Sequence, residues 1–514
     1  MNGKIPVIDL FAGPGGLAEG ISAFTSDQKA KPFNISLSVE KEYSAWKTLR
    51  LRAFTRQFDK KLPPEYYDYI AGKLGNSPED ELFKRYPDEA AKANLEALQF
   101  TLGEDSHDDL DGMIQKRLEG TKNWILIGGP PCQAYSLAGR ARNKANTEYR
   151  AEDDNRHFLY RQYLRIIEKF HPAVFVMENV KGILSSKVNG ELVFHNILSD
   201  LKDPSKAISK KGCPQYKIYS LVQEMKEGEE IDPHDFIICS EKYGIPQARH
   251  RVILLGVRED IVGKPNLLTP QKPITVANVI GDIPRLRSGH SKSKGDDSFE
   301  HWLSVLDKEL QRTLKDIPNH DVSHAMDLAF QKIKTQASHR GSKWLVPFKN
   351  SYQGMPKALV SWYRDNNLNG IINHESRGHM DSDLVRYLFC SSYVMLHEND
   401  KFRTSPTLAN FPSNLLPAHK NVNSGKFVDR FKVQERNHPA STITCHIAKD
   451  GHYFIHYDPT QCRSLTVREA ARIQTFPDNY FFEGNRTEQY VQVGNAVPPL
   501  LAKQIADIVY KLLT

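Results

Sequence analysis

One cysteine of this chain lies where a nucleophile is expected. Cys132 closes the sequence Gly-Gly-Pro-Pro-Cys at residues 128–132, directly after the apolar run at residues 124–127. The run predicts a buried strand, and the glycines and prolines end it abruptly. The thiol should therefore lie just past the carboxyl end of a strand, where open α/β sheets bind ligands. Nucleophilic catalysis is one use of such a thiol, and a buried structural cysteine is the alternative.

Three further polar side chains flank predicted strands. Glu178 follows the apolar run at residues 174–177, so it also lies at a carboxyl end. Arg249 and Arg251 precede the last strand, and the alternation of side chains along a strand sends both to one face. A carboxyl group can hold or donate a proton, and a guanidinium offers donors in a fixed geometry. A sheet-end ion pair and a surface arginine pair are the alternatives.

A glycine-rich turn follows the first predicted strand. Residues 12–16 (AGPGG) join that strand to a helix, and Glu40 ends the next predicted strand. Glycine lets a ligand approach the backbone, the helix start offers free N–H groups, and an acid such as Glu40 can accept hydrogen bonds from ribose hydroxyls. A nicotinamide or flavin nucleotide, S-adenosylmethionine and a purely structural turn all fit this motif.

The order of predicted elements defines a fold class. Strand-like and helix-like segments alternate through the first half, which predicts an α/β fold with a doubly wound, mostly parallel sheet. We expect a catalytic domain at residues 1–265 with an insertion at about 51–120, and a second, smaller domain at 270–480. Residues 485–514 should complete the first domain, with a C-terminal helix packed beside the glycine-rich turn. Asp450-Gly451 predicts a hairpin in the second domain.

Composition excludes several classes of protein. The 514 residues are 39% hydrophobic and 25% charged, with a formal charge of +7, which suits a polyanionic partner. No apolar run is long enough to cross a bilayer and no signal peptide is apparent, so we expect a cytoplasmic, non-membrane protein. The six cysteines lack the close spacing of zinc ligands, and His374 and His379 lack a third ligand. We therefore expect free thiols and no metal.

Six segments, in this order, resemble motifs of the DNA cytosine-5-methyltransferase family of bacterial restriction–modification systems. They are residues 9–16 (DLFAGPGG), 129–133 (GPPCQ), 178–180 (ENV), 247–251 (QARHR), 463–472 (RSLTVREAAR) and 492–499 (QVGNAVPP). The resemblance implies the fold of the S-adenosylmethionine-dependent methyltransferases with a target-recognition domain. It also implies methyl transfer from S-adenosylmethionine to carbon 5 of a cytosine flipped out of a specific duplex sequence.

The resemblance assigns roles to the polar residues of the sheet edge. Cys132 would form a covalent bond to carbon 6 of the cytosine, which makes carbon 5 nucleophilic. Glu178 would donate a proton to N3. Arg251 would contact the polar edge of the base or support the cysteine, and Arg249 would hold the acid or the backbone.

The resemblance also implies binding residues. For the cofactor they are Phe11, Gly13, Gly15, Gly16, Leu17, Glu40, Pro131, Asn495 and Val497, with Glu104 or Asp105 for the adenine amino group. Gln133 and Ser136 belong to the nucleophile loop and are expected to touch DNA. Within the basic run at residues 332–344, Lys334, Arg340 and Lys343 are expected to contact phosphates, although a solvated face is the alternative.

Partners follow from the same resemblance. We expect double-stranded DNA as substrate, a monomeric protein, and a cognate restriction endonuclease that cuts the same site. Some relatives of these enzymes methylate transfer RNA, but the Cys-Phe-Thr tripeptide expected of them is absent here. A transfer RNA methyltransferase and a catalytically silent DNA-binding homologue are therefore the alternatives.

Overall fold

The computed structural model describes most of the chain in two compact units. The described residues are 3–58, 61–131, 159–188, 191–208, 212–224, 232–291, 296–349, 351–398, 405–417 and 429–514. The first unit comprises Met1–Leu62, Phe83–Lys272 and Ala496–Thr514, and the second comprises Pro63–Leu82 and Pro273–Asn495. In these ranges, no helix combines the length and the apolar content that a bilayer crossing requires.

An eight-stranded sheet forms the centre of the first unit. Its strands are β1 (Ile5–Leu10), β2 (Phe33–Glu40), β3 (Ala97–Gln99), β4 (Ile125–Gly128), β5 (Val174–Val180), β6 (Tyr216–Tyr219), β7 (Ile237–Cys239) and β8 (His250–Arg258). The order is β3-β2-β1-β4-β5-β8-β6, with β7 also paired to β8. The first five strands pair in parallel, and β8 is antiparallel to its three neighbours. The predicted α/β fold with a mostly parallel sheet is confirmed.

Side-chain alternation along the strands builds an apolar core on each face of the sheet. Leu126 and Phe175 contribute to one core, while their neighbours Ile127 and Val176 contribute to the other. All four are at most 1% exposed. A strand that is covered on both faces must be apolar at every position, which is why β4 and β5 were recognisable as continuous apolar runs.

Helices cover both faces of the sheet. Those of the first unit are α1 (Gly16–Ser22), α2 (Tyr43–Arg56), α3 (Pro87–Glu96), α4 (His107–Leu118), α5 (Leu159–Phe170), α6 (Val193–Lys202), α7 (Pro204–Ile208) and α8 (Pro499–Leu513). Short strands lie at Lys187–Val188, Glu191–Leu192 and Gln247–Ala248, and 3-10 turns at Lys181–Ser185, Pro233–Phe236 and Ser240–Tyr243.

The chain end packs against its beginning, as the sequence predicts. Gly20 of α1 lies directly against the backbone of α8, where an added Cβ would overlap the carbonyl oxygen of Pro499. Gly16 lies in the same way against the backbone of Val497. The absence of side chains at these two glycines is what lets the helices approach so closely.

The segment at residues 51–120 is divided between structural elements. Residues 97–99 form β3, which pairs in parallel with β2, and residues 107–118 form α4 in the layer beside it. Residues 63–82 belong to the second unit, whose boundary with the first falls within the helix Pro78–Arg85. The domain boundaries drawn from the sequence stay a prediction.

The second unit is mainly helical. Its helices are Pro64–Ile70, Val276–Ile280, Phe299–Leu314, His320–Lys334, Lys357–Tyr363, Asp381–Leu396, Val467–Ile473 and Arg486–Asn495. Two-residue strands lie at Gly289–His290, Gly341–Ser342, Val346–Pro347, Gly370–Ile371, His374–Glu375, Gly378–His379 and Ala440–Ser441. The hairpin predicted at Asp450-Gly451 is wrong: Gly451 does turn, with φ 79°, but the flanking segments close into single 3-10 turns, Cys445–Ala448 and His452–Phe454.

Buried charges organise the segment at residues 463–472. Arg463 donates two hydrogen bonds of 2.7 and 2.6 Å to Glu469, and both side chains are at most 1% exposed. Burial alone would raise the pKa of Glu469, but the charge and hydrogen bonds of Arg463 outweigh it and lower that pKa. Arg472 pairs with Asp478 and Asp282 in the same manner. Removing one partner of such a buried ion pair strongly lowers the stability of the folded protein.

A neutral histidine completes this buried network. His374 Nε2 lies 2.9 Å from the carbonyl oxygen of Pro284, and its Nδ1 lies 2.9 Å from the hydroxyl of Thr466. The carbonyl can only accept, so Nε2 carries the proton and Nδ1 accepts from Thr466. Burial is the main cause that lowers the pKa of His374, to about 4.

We predict that Gly20→Ala destabilises the first unit by about 1 to 3 kcal/mol, because the new methyl group must displace the backbone of α8. Gly112→Ala is the matched control. An added Cβ at Gly112, in the middle of α4, meets nothing within 4 Å, so this change should stabilise the helix by up to about 1 kcal/mol. Urea unfolding of both variants measures the two effects. Equal stabilisation by both would show that α1 and α8 do not pack this closely.

We predict that the second unit loses stability as the pH falls from about 6.5 towards 4. In this range His374 binds a proton in the unfolded chain but stays neutral in the folded chain, where it is buried. At pH 5.5 this histidine should account for about 1.4 kcal/mol of lost stability. Urea midpoints at pH 7.5 and 5.5 measure this loss of stability, and hydrogen exchange of the helix Asp381–Leu396 locates it in the second unit. The loss should be smaller in His374→Gln than in the unchanged protein. It should be the same in His324→Gln, the control, because His324 is exposed. An equal loss in all three proteins would contradict the assignment.

Candidate active site

The candidate site is one edge of the sheet in the first unit. Strands β1, β2, β4 and β5 run in parallel, so their carboxyl ends meet at this edge. Strand β8 runs antiparallel to β5 and therefore begins there. Loops at such an edge are where α/β sheets bind ligands. The glycine-rich turn, Glu40, the Gly-Pro-Pro turn, Glu178 and Arg251 all belong to it.

The glycine-rich turn is held open by backbone that adopts left-handed conformations. Phe11, Gly13 and Gly15 have φ of 58°, 58° and 90°. The N–H of Ala12 donates to the carbonyl of Val39 at 3.0 Å, which ties the turn to β2. An added Cβ on Gly13 meets nothing within 4 Å among the described atoms, so that side of the turn is open. Gly16 and Leu17 are buried at the start of α1.

Glu40 fixes the turn from the end of β2. Its Oε2 accepts the N–H of Gly13 and its Oε1 accepts the N–H of Glu42, both at 2.8 Å. Burial raises the pKa of this carboxyl group, although the backbone hydrogen bonds oppose the shift. A carboxylate has about four acceptor sites. The acceptor capacity that the backbone leaves unused can take hydroxyl groups of a ligand.

Asp9 is a polar residue of this edge that the sequence analysis did not weigh. It lies inside β1, fully buried, and burial raises the pKa of its carboxyl group well above the ordinary value. Neither carboxylate oxygen has a hydrogen-bond partner in the described part of the chain. An acid inside the apolar run at residues 7–11 was the signal that could have identified it.

The turn that leads to the predicted nucleophile is positioned by β5. Asn179 donates from Nδ2 to the carbonyl of Pro130 at 3.3 Å, and an added Cβ on Gly129 would lie 3.1 Å from Glu178 Oε2. The last described residue here is Pro131, which is half-buried. Cys132, Gln133 and Ser136 lie outside the described residues.

Glu178 and Arg251 form an ion pair beside this turn. The Nε of Arg251 lies 3.0 Å from Glu178 Oε1, and the two side chains are 15% and 11% exposed. A second contact fixes the guanidinium, whose Nη1 donates to the carbonyl of His250 at 2.9 Å. Both residues lie within strands, because the pairing of β5 with β8 extends to Val180 opposite Arg251. The sequence placed Glu178 just past its strand.

Arg249 lies next to β8 and is only 1% exposed. Its backbone carbonyl accepts the hydroxyl of Ser240 at 2.7 Å, and its N–H donates to the carbonyl of Gln247 at 2.9 Å. Arg249 is therefore buried, with its backbone held by two hydrogen bonds, and is not an ordinary surface arginine.

The remaining predicted cofactor residues differ in their surroundings. Glu104 follows β3 and is exposed. The carboxylate of Asp105 accepts the N–H of Thr101 at 2.6 Å and therefore stabilises the local turn. Val497 is buried against Gly16 in the first unit. Asn495 is exposed at the end of the helix Arg486–Asn495, which belongs to the second unit.

The three basic residues predicted to bind DNA have different partners within the second unit. Arg340 donates to Asp297 at 2.9 Å and to the carbonyl of Ser376 at 3.0 Å. The Nζ of Lys343 lies 4.8 Å from the ring centre of Trp344, and that of Lys334 lies 5.1 Å from that of Phe330. Lys334 is exposed, Lys343 is half-buried, and Arg340 is held by groups of the protein itself.

Comparisons with known proteins agree with this class of fold. A crystal structure of a putative DNA modification methyltransferase encoded within a prophage of Escherichia coli aligns with 99% of this chain and 99% of its own, with a TM-score of 0.50 and 19% identity. At that identity the likeness concerns the fold alone, and it agrees with the doubly wound α/β architecture of the first unit.

Sequence comparisons define the family. The model of the C-5 cytosine-specific DNA methylases matches residues 88–511. The type II methyltransferase M.Bpa9945I of Bacillus paralicheniformis is 34% identical over 98% of both chains, and M.AgeI of Thalassovita gelatinovora is 25% identical over 75% of this chain and 82% of its own. The chain belongs to the C-5 cytosine-specific DNA methylases of the bacterial restriction–modification type and is a DNA (cytosine-5-)-methyltransferase.

Proposed function

We propose that this enzyme transfers a methyl group from S-adenosylmethionine to carbon 5 of a cytosine flipped out of a specific duplex sequence, through a covalent bond between Cys132 and carbon 6. The observation that best supports this is the Glu178–Arg251 pair beside the turn that leads to Cys132. An acid and a fixed cation beside this turn would serve the proposed attack on the ring.

The glycine-rich turn and Glu40 fit the proposed cofactor. Glu40 is anchored by two backbone N–H groups and keeps acceptor sites for ribose hydroxyls. Phe11, Gly13, Gly15, Gly16, Leu17, Pro131 and Val497 would hold the rest of the molecule, with Glu104 and Asn495 expected from the family resemblance. When bound, S-adenosylmethionine supplies a methyl group on an electrophilic sulfonium.

The protein must supply the activation of carbon 5, which is a poor nucleophile. The thiolate of Cys132 forms a bond to carbon 6, and Glu178, which must carry a proton when the base is bound, transfers it to N3. The electron pair of the resulting enamine then forms the bond from carbon 5 to the methyl group, whose bond to the sulfonium breaks. Solvent takes up the proton of carbon 5, the thiolate leaves carbon 6 and the N3 proton returns to Glu178, which restores the aromatic ring. Arg251 holds Glu178 in position during the attack.

Carbon 5 cannot be reached inside a stacked duplex, so the base must leave the helix. A second body of protein is then needed to hold the DNA and to read flanking bases. We assign this task to the second unit, where Lys334 and Lys343 are the candidates for phosphate contacts. Arg340 is a weaker candidate because Asp297 and Ser376 already engage its guanidinium.

The similarity to type II methyltransferases suggests the biological setting. We propose that methylation protects the recognised sequence from a cognate restriction endonuclease and that the enzyme acts as a monomer on duplex DNA. Methylation of transfer RNA, or a silent DNA-binding role, are the outcomes that would replace this proposal.

We predict that Cys132→Ser abolishes 5-methylcytosine formation in duplex DNA and leaves binding of S-adenosylmethionine unchanged, because the alcohol is too weak a nucleophile to attack carbon 6. Nucleoside mass spectrometry measures the product, and calorimetry measures the binding. Cys213→Ser, which changes a half-buried thiol elsewhere, should retain full activity. Turnover by the Cys132→Ser variant would contradict the proposed covalent mechanism. Methylation of transfer RNA but not of DNA by the unchanged enzyme would favour the RNA alternative.

We predict that Glu40→Gln weakens S-adenosylmethionine binding about tenfold, because a hydrogen bond to a charged group is worth about 1.5 kcal/mol. The rate at saturating cofactor should change little. Glu42→Gln is the matched control, since this neighbouring acid is exposed. Calorimetry with each variant measures the two dissociation constants. Equal values for both would show that Glu40 does not bind the cofactor.

A further inference from the structure

Strand pairing brings three metal-binding side chains together in the first unit. Cys239 and His250 are direct partners in the antiparallel pairing of β7 with β8. Glu241 follows two residues after the cysteine, in the 3-10 turn Ser240–Tyr243. The sulfur of Cys239, one ring nitrogen of His250 and one carboxylate oxygen of Glu241 lie within 4.8 Å of one another. All three residues are half-buried, so an ion from solvent could reach them.

The carboxylate of Glu241 is not fully used by the protein. Its Oε1 lies 2.9 Å from Nε2 of His250. Its Oε2 is buried and has no hydrogen-bond partner among the residues that the structure describes. A buried carboxylate oxygen without a partner costs free energy unless a ligand satisfies it. This oxygen is an observation independent of the clustering of the three residues.

We propose that Cys239, Glu241 and His250 form a binding site for a divalent transition-metal ion, with Zn²⁺ as the best match. A thiolate, an imidazole and a carboxylate are the ligands that zinc takes in proteins, and three of them leave a fourth tetrahedral position for water. Bonds of about 2.0 to 2.3 Å place tetrahedral ligand atoms about 3.5 Å apart. Metal binding therefore requires side-chain rotations that bring the three atoms, which lie within 4.8 Å of one another, to this spacing.

This site was invisible in the sequence because its ligands are not closely spaced. Cys239 and Glu241 are near each other in the chain, but His250 reaches them only through the pairing of β7 with β8. The sequence analysis therefore expected no metal. Its own candidates, His374 and His379, are instead engaged with Thr466, Pro284 and Tyr387 inside the second unit.

The site is connected to the candidate active site by one backbone group. The carbonyl of His250 accepts the hydrogen bond from Nη1 of Arg251. An ion bound to the imidazole would therefore restrict the residue whose backbone holds this guanidinium. Metal binding itself does not depend on the proposed methyl-transfer mechanism and can be tested without it.

The test uses Co²⁺ as a spectroscopic probe for the full-length chain. The Cys132→Ser background removes the proposed nucleophile as a competing thiolate, and a chelator removes metal from the purified protein. We expect one Co²⁺ per chain, with a thiolate-to-cobalt charge-transfer band that Zn²⁺ abolishes by competition. Adding Cys239→Ser should remove the band, and His250→Ala should weaken binding by more than about tenfold. Adding Cys213→Ser, the control thiol, should change nothing.

The absence of a thiolate band in the Cys132→Ser chain would overturn the proposal, and so would a band that persists after Cys239→Ser is added. Because a variant could fail through misfolding, circular dichroism accompanies each titration. Glu241→Gln provides a second, nearly isosteric variant: it should weaken Co²⁺ binding, and unchanged affinity in a folded Glu241→Gln chain would also contradict the site.

Discussion

The position of β5 between β4 and β8 is the constraint on which the candidate site depends. Pairing with β8 sets Glu178 against Arg251, and the next residue, Asn179, holds the carbonyl of Pro130 in the turn that follows β4. A shift of one residue in this register would send Glu178 to the opposite face of the sheet. The ring of Phe175 lies directly over Gly256, its partner in β8, and a shift would bring it against a neighbouring residue that has a side chain. Packing in the core therefore fixes Glu178 beside the turn that ends at Pro131.

Much of the first unit could be predicted because its strands are buried on both faces. Continuous apolar runs identified β4, β5 and β8, and a run interrupted only by Asp9 identified β1. Parallel pairing places the carboxyl ends of β1, β4 and β5 at one edge, where the antiparallel β8 begins. The end of β5 was harder, since the polar residues Glu178 and Asn179 continue the strand only because β8 pairs with them. Strand β3 has three residues and no periodic pattern, so it was interpreted as part of an insertion.

The second unit shows where sequence patterns fail. The segment at residues 463–472 contains a visible helix cap, Thr466 with Glu469, but the partners of its arginines come from distant positions such as Asp282. Arg340 was interpreted as a DNA contact from its basic neighbours, whereas Asp297 and Ser376 engage it. Neither the long-range ion pairs nor the Cys239–His250 pair could be predicted, because each needs the three-dimensional pairing first.

The account depends on Glu178 and Arg251 acting as one unit during attack on the base. A double-mutant cycle measures this most directly, with single-turnover methyl transfer to duplex DNA by the unchanged enzyme, Glu178→Gln, Arg251→Gln and the double variant. The account predicts that the double variant is much less impaired than the product of the single effects, with a coupling energy of at least about 1 kcal/mol. If the rate reductions of the two single variants simply multiply in the double variant, with a coupling energy below about 0.5 kcal/mol, the result would contradict the account.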